Sequence, residues 1–142
     1  METGGRSQAA SARADAKKYK KALAEKQRYD TMVAELKATG AVPKTAVIHF
    51  PAQQIDVESL GFDNAHINAD REHHVSEEQA KGYIQSAMVS VTVWGGQYER
   101  YYSRSGAAYV NNEGRYIRTA YSAEQYDEKT IAFMEVLKKH GY

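Results

Sequence analysis

The sequence contains no cysteine and only two prolines among its 142 residues. The lack of cysteine excludes disulfides, thiolate metal sites and cysteine nucleophiles. No apolar run approaches the about 20 residues that a membrane-spanning helix needs, so the sequence predicts no membrane partner. The Walker, dinucleotide-binding, serine-hydrolase and zinc-protease motifs are also missing. Nucleotide binding, hydride transfer and serine hydrolysis therefore have no motif support.

Charge is balanced overall but unevenly distributed along the chain. Nineteen basic and eighteen acidic residues give a net charge of +1, which argues against a strong long-range attraction to a polyanion. Residues 1–40 carry nine basic and five acidic side chains, residues 41–75 two and five, and residues 76–142 eight and eight. The N-terminal segment is therefore basic and the middle of the chain acidic, which still permits a local contact with a nucleic acid.

Tyrosine is abundant, with eleven residues against three phenylalanines and one tryptophan. Residues 88–121 hold six of these tyrosines and four arginines but no lysine: Tyr98, Tyr101, Tyr102, Tyr109, Tyr116 and Tyr121, with Arg100, Arg104, Arg115 and Arg118. Arginine binds phosphate and tyrosine stacks on unpaired bases, so this pairing suits a single-stranded nucleic acid. Tyrosine is equally a good strand former whose ring packs in a core. Both interpretations remain open from the residues alone.

The order of hydrophobic patterns predicts an α+β fold. One long helix is predicted over 7–39, a short strand over 46–50, a second helix from Ser76, a meander of three to four antiparallel strands over 89–121, and a C-terminal helix. The helices are expected on one face of the sheet. The predicted organisation is a basic helical extension over 1–40, a linker with a short strand over 41–59, and an α+β domain over 60–142.

Local signals predict how several of these elements begin and turn. Ser76 with Gln79, and Ser122 with Gln125, have the spacing of capping boxes that start the second and last helices. Tyr126, Ile131, Met134 and Leu137 are expected to form the apolar face of the last helix. The pair Gly95-Gly96 indicates a two-residue hairpin turn. On a regular last strand Arg118 and Thr119 would point to opposite faces, and only a bulge could bring them to one side.

The densest group of polar side chains lies in residues 62–75, which we call the polar loop. It contains three of the five histidines, His66, His73 and His74, together with three acidic residues and Arg71. The histidines lack the same-face spacing of a helical zinc site, and no cysteine completes a ligand set, so no metal is expected. A histidine could serve there as a general acid or base at neutral pH, or could instead hydrogen-bond the loop.

The chain resembles the C-terminal region of phage minor head (minor capsid) proteins over Leu60 to Gly141. The residues that carry the resemblance are His66-Ile67-Asn68, His73-His74-Val75-Ser76, residues 90–94, Tyr101-Tyr102, residues 106–110 and residues 117–121. That region is similar to the phage-associated branch of the barnase, EndoU, colicin and RelE group of endoribonucleases. The resemblance implies helices followed by a four-stranded antiparallel sheet, which agrees with the order of elements above.

For function, the resemblance implies metal-independent cleavage of host RNA by attack of the ribose 2′-hydroxyl on the adjacent phosphate, with no cofactor. By position, His66 would transfer a proton and Arg118 with Thr119 would hold the phosphate, while His73 is a further proton-transfer candidate. The resemblance implies that Tyr102 and Tyr109 are supports or stacking rings. Further substrate contacts are predicted at Arg71, Arg100 and Tyr121. An immunity protein would be a partner of such a toxin.

The alternative is a non-catalytic virion or interaction module whose N-terminal helix binds a capsid, portal or other partner protein. A domain that had lost catalysis and kept its fold would have much the same sequence. The expected location is the virion or the cytoplasm of the bacterial host.

Overall fold

The computed structural model describes the backbone of residues 3–142 and the side chains of residues 11–142. Residues 1–2 of the predicted basic extension lie outside the described residues. The helices are α1 (Thr3–Ala38), α2 (Glu77–Gln85) and α3 (Glu128–Lys139), and the strands are β1 (Val47–His49), β2 (Gly61–Phe62), β3 (Val89–Val93), β4 (Tyr98–Tyr102), β5 (Gly106–Asn111) and β6 (Tyr116–Ser122). The predicted α+β fold class is confirmed.

The chain divides into two compact units, Met1–Glu35 and Leu36–Tyr142. The first unit consists largely of α1, whose alanine, lysine, glutamate and glutamine residues favour a helix. The second unit contains the whole sheet, α2 and α3. Residues 41–59, predicted as a linker, lie inside this second unit and contribute β1 to its sheet. No helix within the described residues is both long and apolar enough to cross a bilayer.

Six strands form one mixed sheet in the order β1-β3-β4-β5-β6-β2. Strands β3 to β6 pair antiparallel as the predicted meander, and β1 pairs antiparallel with β3. Strand β2 pairs parallel with β6 through only two residue pairs, Gly61 with Tyr116 and Phe62 with Ile117. This edge strand leads directly into the polar loop, so the parallel pairing fixes where that loop starts beside β6.

The two helices of the second unit that follow α1 cover opposite faces of the sheet, so the prediction that helices pack on one face is wrong. Tyr101 belongs to the core cluster that includes Tyr83 and Ile84 of α2. Its neighbour on β4, Tyr102, packs against Phe133 of α3 with ring centroids 5.2 Å apart. Because successive strand residues point to opposite faces, α2 and α3 lie on opposite sides of β4. Neither β3 nor β4 has an exposed residue, as expected for strands covered on both faces.

The predicted capping box at α2 is confirmed, and the one at the last helix is wrong. Ser76 Oγ accepts from the Gln79 amide at 3.1 Å and Gln79 Oε1 accepts from the Ser76 amide at 2.9 Å. Helix α3 instead begins after Asp127, whose carboxylate accepts from the Thr130 amide at 2.7 Å. An aspartate is as good an N-cap as a serine, and the Gln125 side chain that the earlier box needs is bonded to His73.

The predicted apolar face of the last helix is correct at Leu137 and wrong at Ile131 and Tyr126. Phe133 and Leu137 are fully buried, whereas Ile131 is 51% exposed and Tyr126 precedes the helix. The two-residue turn at Gly95-Gly96 is also wrong. Val93 pairs with Tyr98, so four residues, 94–97, connect β3 to β4.

Candidate functional site

A cavity of about 480 Å³ opens on the α3 side of the sheet, between the polar loop, the last strands and the start of α3. We call it the His66 cavity. Seven of the nine site residues predicted from the sequence line it, namely His66, Arg71, His73, Tyr109, Arg118, Thr119 and Tyr121. They come from segments up to 55 positions apart in sequence, so the fold and not local sequence brings them together. The remaining two, Arg100 and Tyr102, do not line the cavity.

A β-bulge places Arg118 and Thr119 on the same side of the sheet. Ile117 and Ala120 are both fully buried in the core cluster on the α2 side, although a regular strand would point them to opposite faces. The register between β5 and β6 shifts at Tyr109 and Val110, which accommodates one extra residue. Arg118 and Thr119 therefore both face the His66 cavity, which a regular strand would not allow.

Asp63 joins two of the four predicted catalytic residues, His66 and Arg118. Its Oδ1 accepts a hydrogen bond from the His66 amide at 3.1 Å, and its Oδ2 pairs with Arg118 Nη1 at 2.7 Å. Both bonds hold the pKa of the Asp63 carboxyl below its ordinary value, and the bond from the His66 amide has the larger effect. The same ion pair raises the pKa of Arg118. A guanidinium has five N–H donors, so this pairing orients Arg118 and leaves it able to bind a phosphate as well.

Replacing Asp63 with asparagine should remove the ion pair while preserving an oxygen for the His66 amide. A carboxyl whose pKa is lower in the folded than in the unfolded state contributes stability above its unfolded pKa, and that contribution disappears as pH falls through the folded pKa. We therefore expect Asp63→Asn to lower the thermal midpoint at neutral pH. The difference from wild type should shrink steadily below about pH 4. Thermal unfolding followed across this pH range tests the expectation, and a constant difference would contradict it.

His73 is held by a side-chain network that sets its tautomer. Its Nδ1 lies 2.7 Å from Oε1 of Gln125, and Nε2 of the same amide donates to the His73 carbonyl at 3.3 Å. Because an amide oxygen only accepts, Nδ1 carries the hydrogen and Nε2 of the neutral ring has the free lone pair. The ring also contacts Tyr121, with centroids 5.7 Å apart. His73 thus combines a fixed orientation with an available base nitrogen.

The backbone around His73 is strained. Glu72 and His74 both have φ of 55°, a left-handed conformation that is uncommon outside glycine and that persists only where the surroundings enforce it. Asn68 supplies part of this restraint, since its amide donates to the Val75 carbonyl at 2.7 Å and accepts from the Val75 amide at 2.9 Å. Asn68 also belongs to a π-helical turn, Ala65–Asp70, a distortion that is frequent at functional sites.

Tyr109 and Tyr121 form one wall of the cavity, and Tyr102 lies behind that wall. The hydroxyls of Tyr109 and Tyr121 lie 2.7 Å apart, and burial raises the pKa of Tyr121, which keeps its hydroxyl protonated at neutral pH. Tyr102 lies behind Tyr109, with ring centroids 6.4 Å apart, and is only 1% exposed. A ring this buried cannot stack on a base, so of its two predicted roles only that of a support fits. The Cζ atom of Arg100 lies 4.9 Å from the centroid of the Tyr109 ring. Arg100 therefore supports that ring, as Tyr102 does, and does not line the cavity.

Several cavity residues were missed by the sequence analysis: Trp94, Tyr98, Gln125, Asp127 and Thr130, with Asp63 beside them. The one usable signal was that the chain's single tryptophan precedes the turn glycines, where a large apolar ring has no core to enter. Within the described residues, no group of three or more histidine, aspartate or glutamate side chains has the arrangement of a metal site.

Comparison with protein-family models, curated proteins and solved structures finds no match to this chain. The resemblance to phage minor head proteins and their nuclease-like relatives therefore stays a prediction.

Proposed function

We propose that the second unit is a metal-independent endoribonuclease domain of the kind associated with phage minor head proteins, acting on host RNA in the His66 cavity. The observation that carries the proposal is the convergence of two histidines, two arginines and a threonine in one cavity, His66 and His73 with Arg71, Arg118 and Thr119. Proton-transfer groups next to phosphate-binding groups are what RNA cleavage through the 2′-hydroxyl requires.

In the proposed reaction a base removes the proton from the ribose 2′-hydroxyl, and the 2′-oxygen forms a bond to the adjacent phosphorus. The bond from phosphorus to the 5′-oxygen breaks, and an acid protonates that oxygen. The products are a 2′,3′-cyclic phosphate and a 5′-hydroxyl end. Negative charge builds up on the non-bridging oxygens between these steps, so fixed positive donors lower the barrier.

The two histidines suit the two proton transfers. His73 has its Nδ1 hydrogen committed to Gln125, so its Nε2 is the natural acceptor for the 2′-hydroxyl proton. His66 lies on the π-helical turn with its amide fixed by Asp63, and it would protonate the 5′-oxygen. Arg118, oriented by the same carboxylate, would bind the phosphate oxygens, and the Thr119 hydroxyl would donate a further hydrogen bond. Arg71 would attract the strand at the edge of the cavity.

The proposal is tested by incubating the purified full chain with single-stranded and structured RNA in EDTA. We expect cleavage that leaves 2′,3′-cyclic phosphate ends, and no cleavage of the same sequence carrying 2′-O-methyl groups, which lack the attacking hydroxyl. His66→Ala protein purified in parallel controls for a contaminating nuclease. Intact RNA with wild-type protein, or equal cleavage by His66→Ala, would overturn the proposal. Cleavage only after addition of a divalent cation would contradict its metal independence.

The second candidate is a module that binds a capsid, portal or other protein through its N-terminal helix. Its supporting observation is that Met1–Glu35 forms a compact unit by itself and exposes Tyr19 and Leu23, at 70% and 43%. This candidate predicts the negative outcome of the same assay, with RNA left intact by a folded protein.

A further inference from the structure

Trp94 is an exposed aromatic residue on the wall of the His66 cavity. It is the only tryptophan of the chain, and 56% of its surface is accessible to solvent. It lines the same cavity as Tyr109 and Arg118. Tryptophan is usually largely buried because its ring is the largest apolar group among the side chains, so an exposed ring beside a polar cavity indicates a contact surface.

The backbone conformation that places the Trp94 ring here is strained. Trp94 has φ of 52°, and Gly95 and Gly96 follow with φ of 63° and 94°. Left-handed geometry is natural for glycine but strained for tryptophan, and such strain is often found at binding sites. The turn is fixed from the next hairpin, because Asn112 Nδ2 donates to the Gly96 carbonyl at 2.8 Å. A rigid turn therefore holds the Trp94 ring at the surface.

Two neighbours orient the indole ring. Tyr98 meets it edge-on, with centroids 5.2 Å apart and planes at 81°. The Arg100 guanidinium lies 5.5 Å from the Trp94 centroid and 4.9 Å from that of Tyr109, so it connects the two aromatic rings. These contacts fix the plane of the ring before any ligand arrives, which reduces the ordering cost of binding.

We propose that Trp94 is the stacking platform for an unpaired nucleobase of the RNA strand whose phosphate binds at Arg118. This inference rests on the proposed function, since it names the subsite next to the cleavage chemistry. The charges favour a nucleotide over other ligands of an aromatic ring. Arg71 and Arg118 line the cavity against one lining carboxylate, that of Asp127, so a strand offers a planar ring for Trp94 and phosphates for the two arginines. A paired base would have no free face to offer, so the subsite selects single strands.

The single tryptophan makes the inference directly measurable, because fluorescence excited beyond the tyrosine absorption band reports on Trp94 alone. The probe is a 2′-O-methyl oligonucleotide, which the full-length protein cannot cleave by the proposed route. We expect it to quench Trp94 emission on binding. Inorganic polyphosphate, which carries charge but no bases, should compete for the cavity without the same quenching.

Affinities of the variants, measured by anisotropy of a labelled oligonucleotide of the same kind, complete the test. Trp94→Ala should bind about tenfold more weakly, since stacking of a base on an aromatic ring contributes of this order. Trp94→Phe should recover most of the affinity because it retains a stacking face. Tyr142→Ala is the matched control, as it removes an exposed aromatic residue that does not line the cavity and should bind like wild type.

The outcomes separate this inference from the proposed function. Wild-type affinity in Trp94→Ala, or binding without quenching, overturns the stacking role even if RNA is cleaved. Quenching with weakened Trp94→Ala binding, but without cleavage of ordinary RNA, supports the subsite and removes the catalytic proposal. If Trp94→Ala does not fold, the fluorescence of wild type and the affinity of Trp94→Phe decide the question. The inference is overturned if wild type shows no quenching. It is also overturned if Trp94→Phe binds the oligonucleotide as weakly as the protein binds polyphosphate, which has no bases.

Discussion

Replacing His66 with alanine should lower kcat for RNA cleavage by about 10²- to 10⁴-fold, the usual contribution of a general acid or base. The reason is that the 5′-oxygen would leave as an unprotonated alkoxide. His73→Ala should have an effect of similar size, since the 2′-hydroxyl would lose its proton acceptor. The substrate should still bind, because Arg118 and Thr119 remain in place, so the loss should appear in kcat and much less in KM. Single-turnover cleavage at saturating protein measures the chemical step.

His74 provides a matched control for both variants. It is exposed, it does not line the His66 cavity, and it has a left-handed backbone that asparagine tolerates. His74→Asn should therefore cleave RNA like wild type. A loss smaller than about tenfold for both His66→Ala and His73→Ala would remove acid-base catalysis by these residues. Equal losses in all three variants would indicate a general disturbance of the polar loop.

The fold class could be predicted because its signals are local. The meander follows from alternating residues and turn glycines, and α2 follows from Ser76 and Gln79, three positions apart. Strand β2 could not be predicted, because two residues carry no periodic pattern and exist as a strand only through pairing with Tyr116 and Ile117. The start of α3 was missed because two capping signals lie within five residues, and the Gln125 amide that the first one needs bonds His73 instead.

The sequence predicted which residues belong to the candidate site better than it predicted how they are arranged. A concentration of histidines identified the polar loop, and the resemblance to phage minor head proteins singled out His66 and His73 within it. The position of Arg118 beside Thr119 depends on a bulge, which is a property of strand pairing and leaves no signature in residues 117–121 themselves. Asp63 was overlooked because its partner Arg118 is 55 positions away. Contacts at such separations are set by tertiary structure.

Replacing Tyr102 with alanine should reduce the free energy of unfolding by about 3–5 kcal/mol, the usual range for truncating a fully buried aromatic ring. The ring is 1% exposed and packs on Phe133 and Tyr109, so its removal leaves a cavity between the sheet and α3. Urea denaturation measures the loss, which should lower the midpoint with an unchanged m-value. Tyr19→Ala, on a residue 70% exposed, should change stability by less than about 0.5 kcal/mol.

Tyr102→Phe separates packing by the ring from hydrogen bonding by the hydroxyl. It keeps the contact with Phe133 and removes the hydroxyl that bonds Tyr109 and Arg100, so it should cost only about 0.5–1.5 kcal/mol, the net value of one hydrogen bond. If Tyr102 acts as a support behind Tyr109, Tyr102→Phe should also retain RNA binding, because the wall of the His66 cavity stays in place. A loss below about 1 kcal/mol in Tyr102→Ala would show that the ring is not part of the core. Stable Tyr102→Phe protein that no longer binds RNA would instead show that the hydroxyl positions the wall of the cavity.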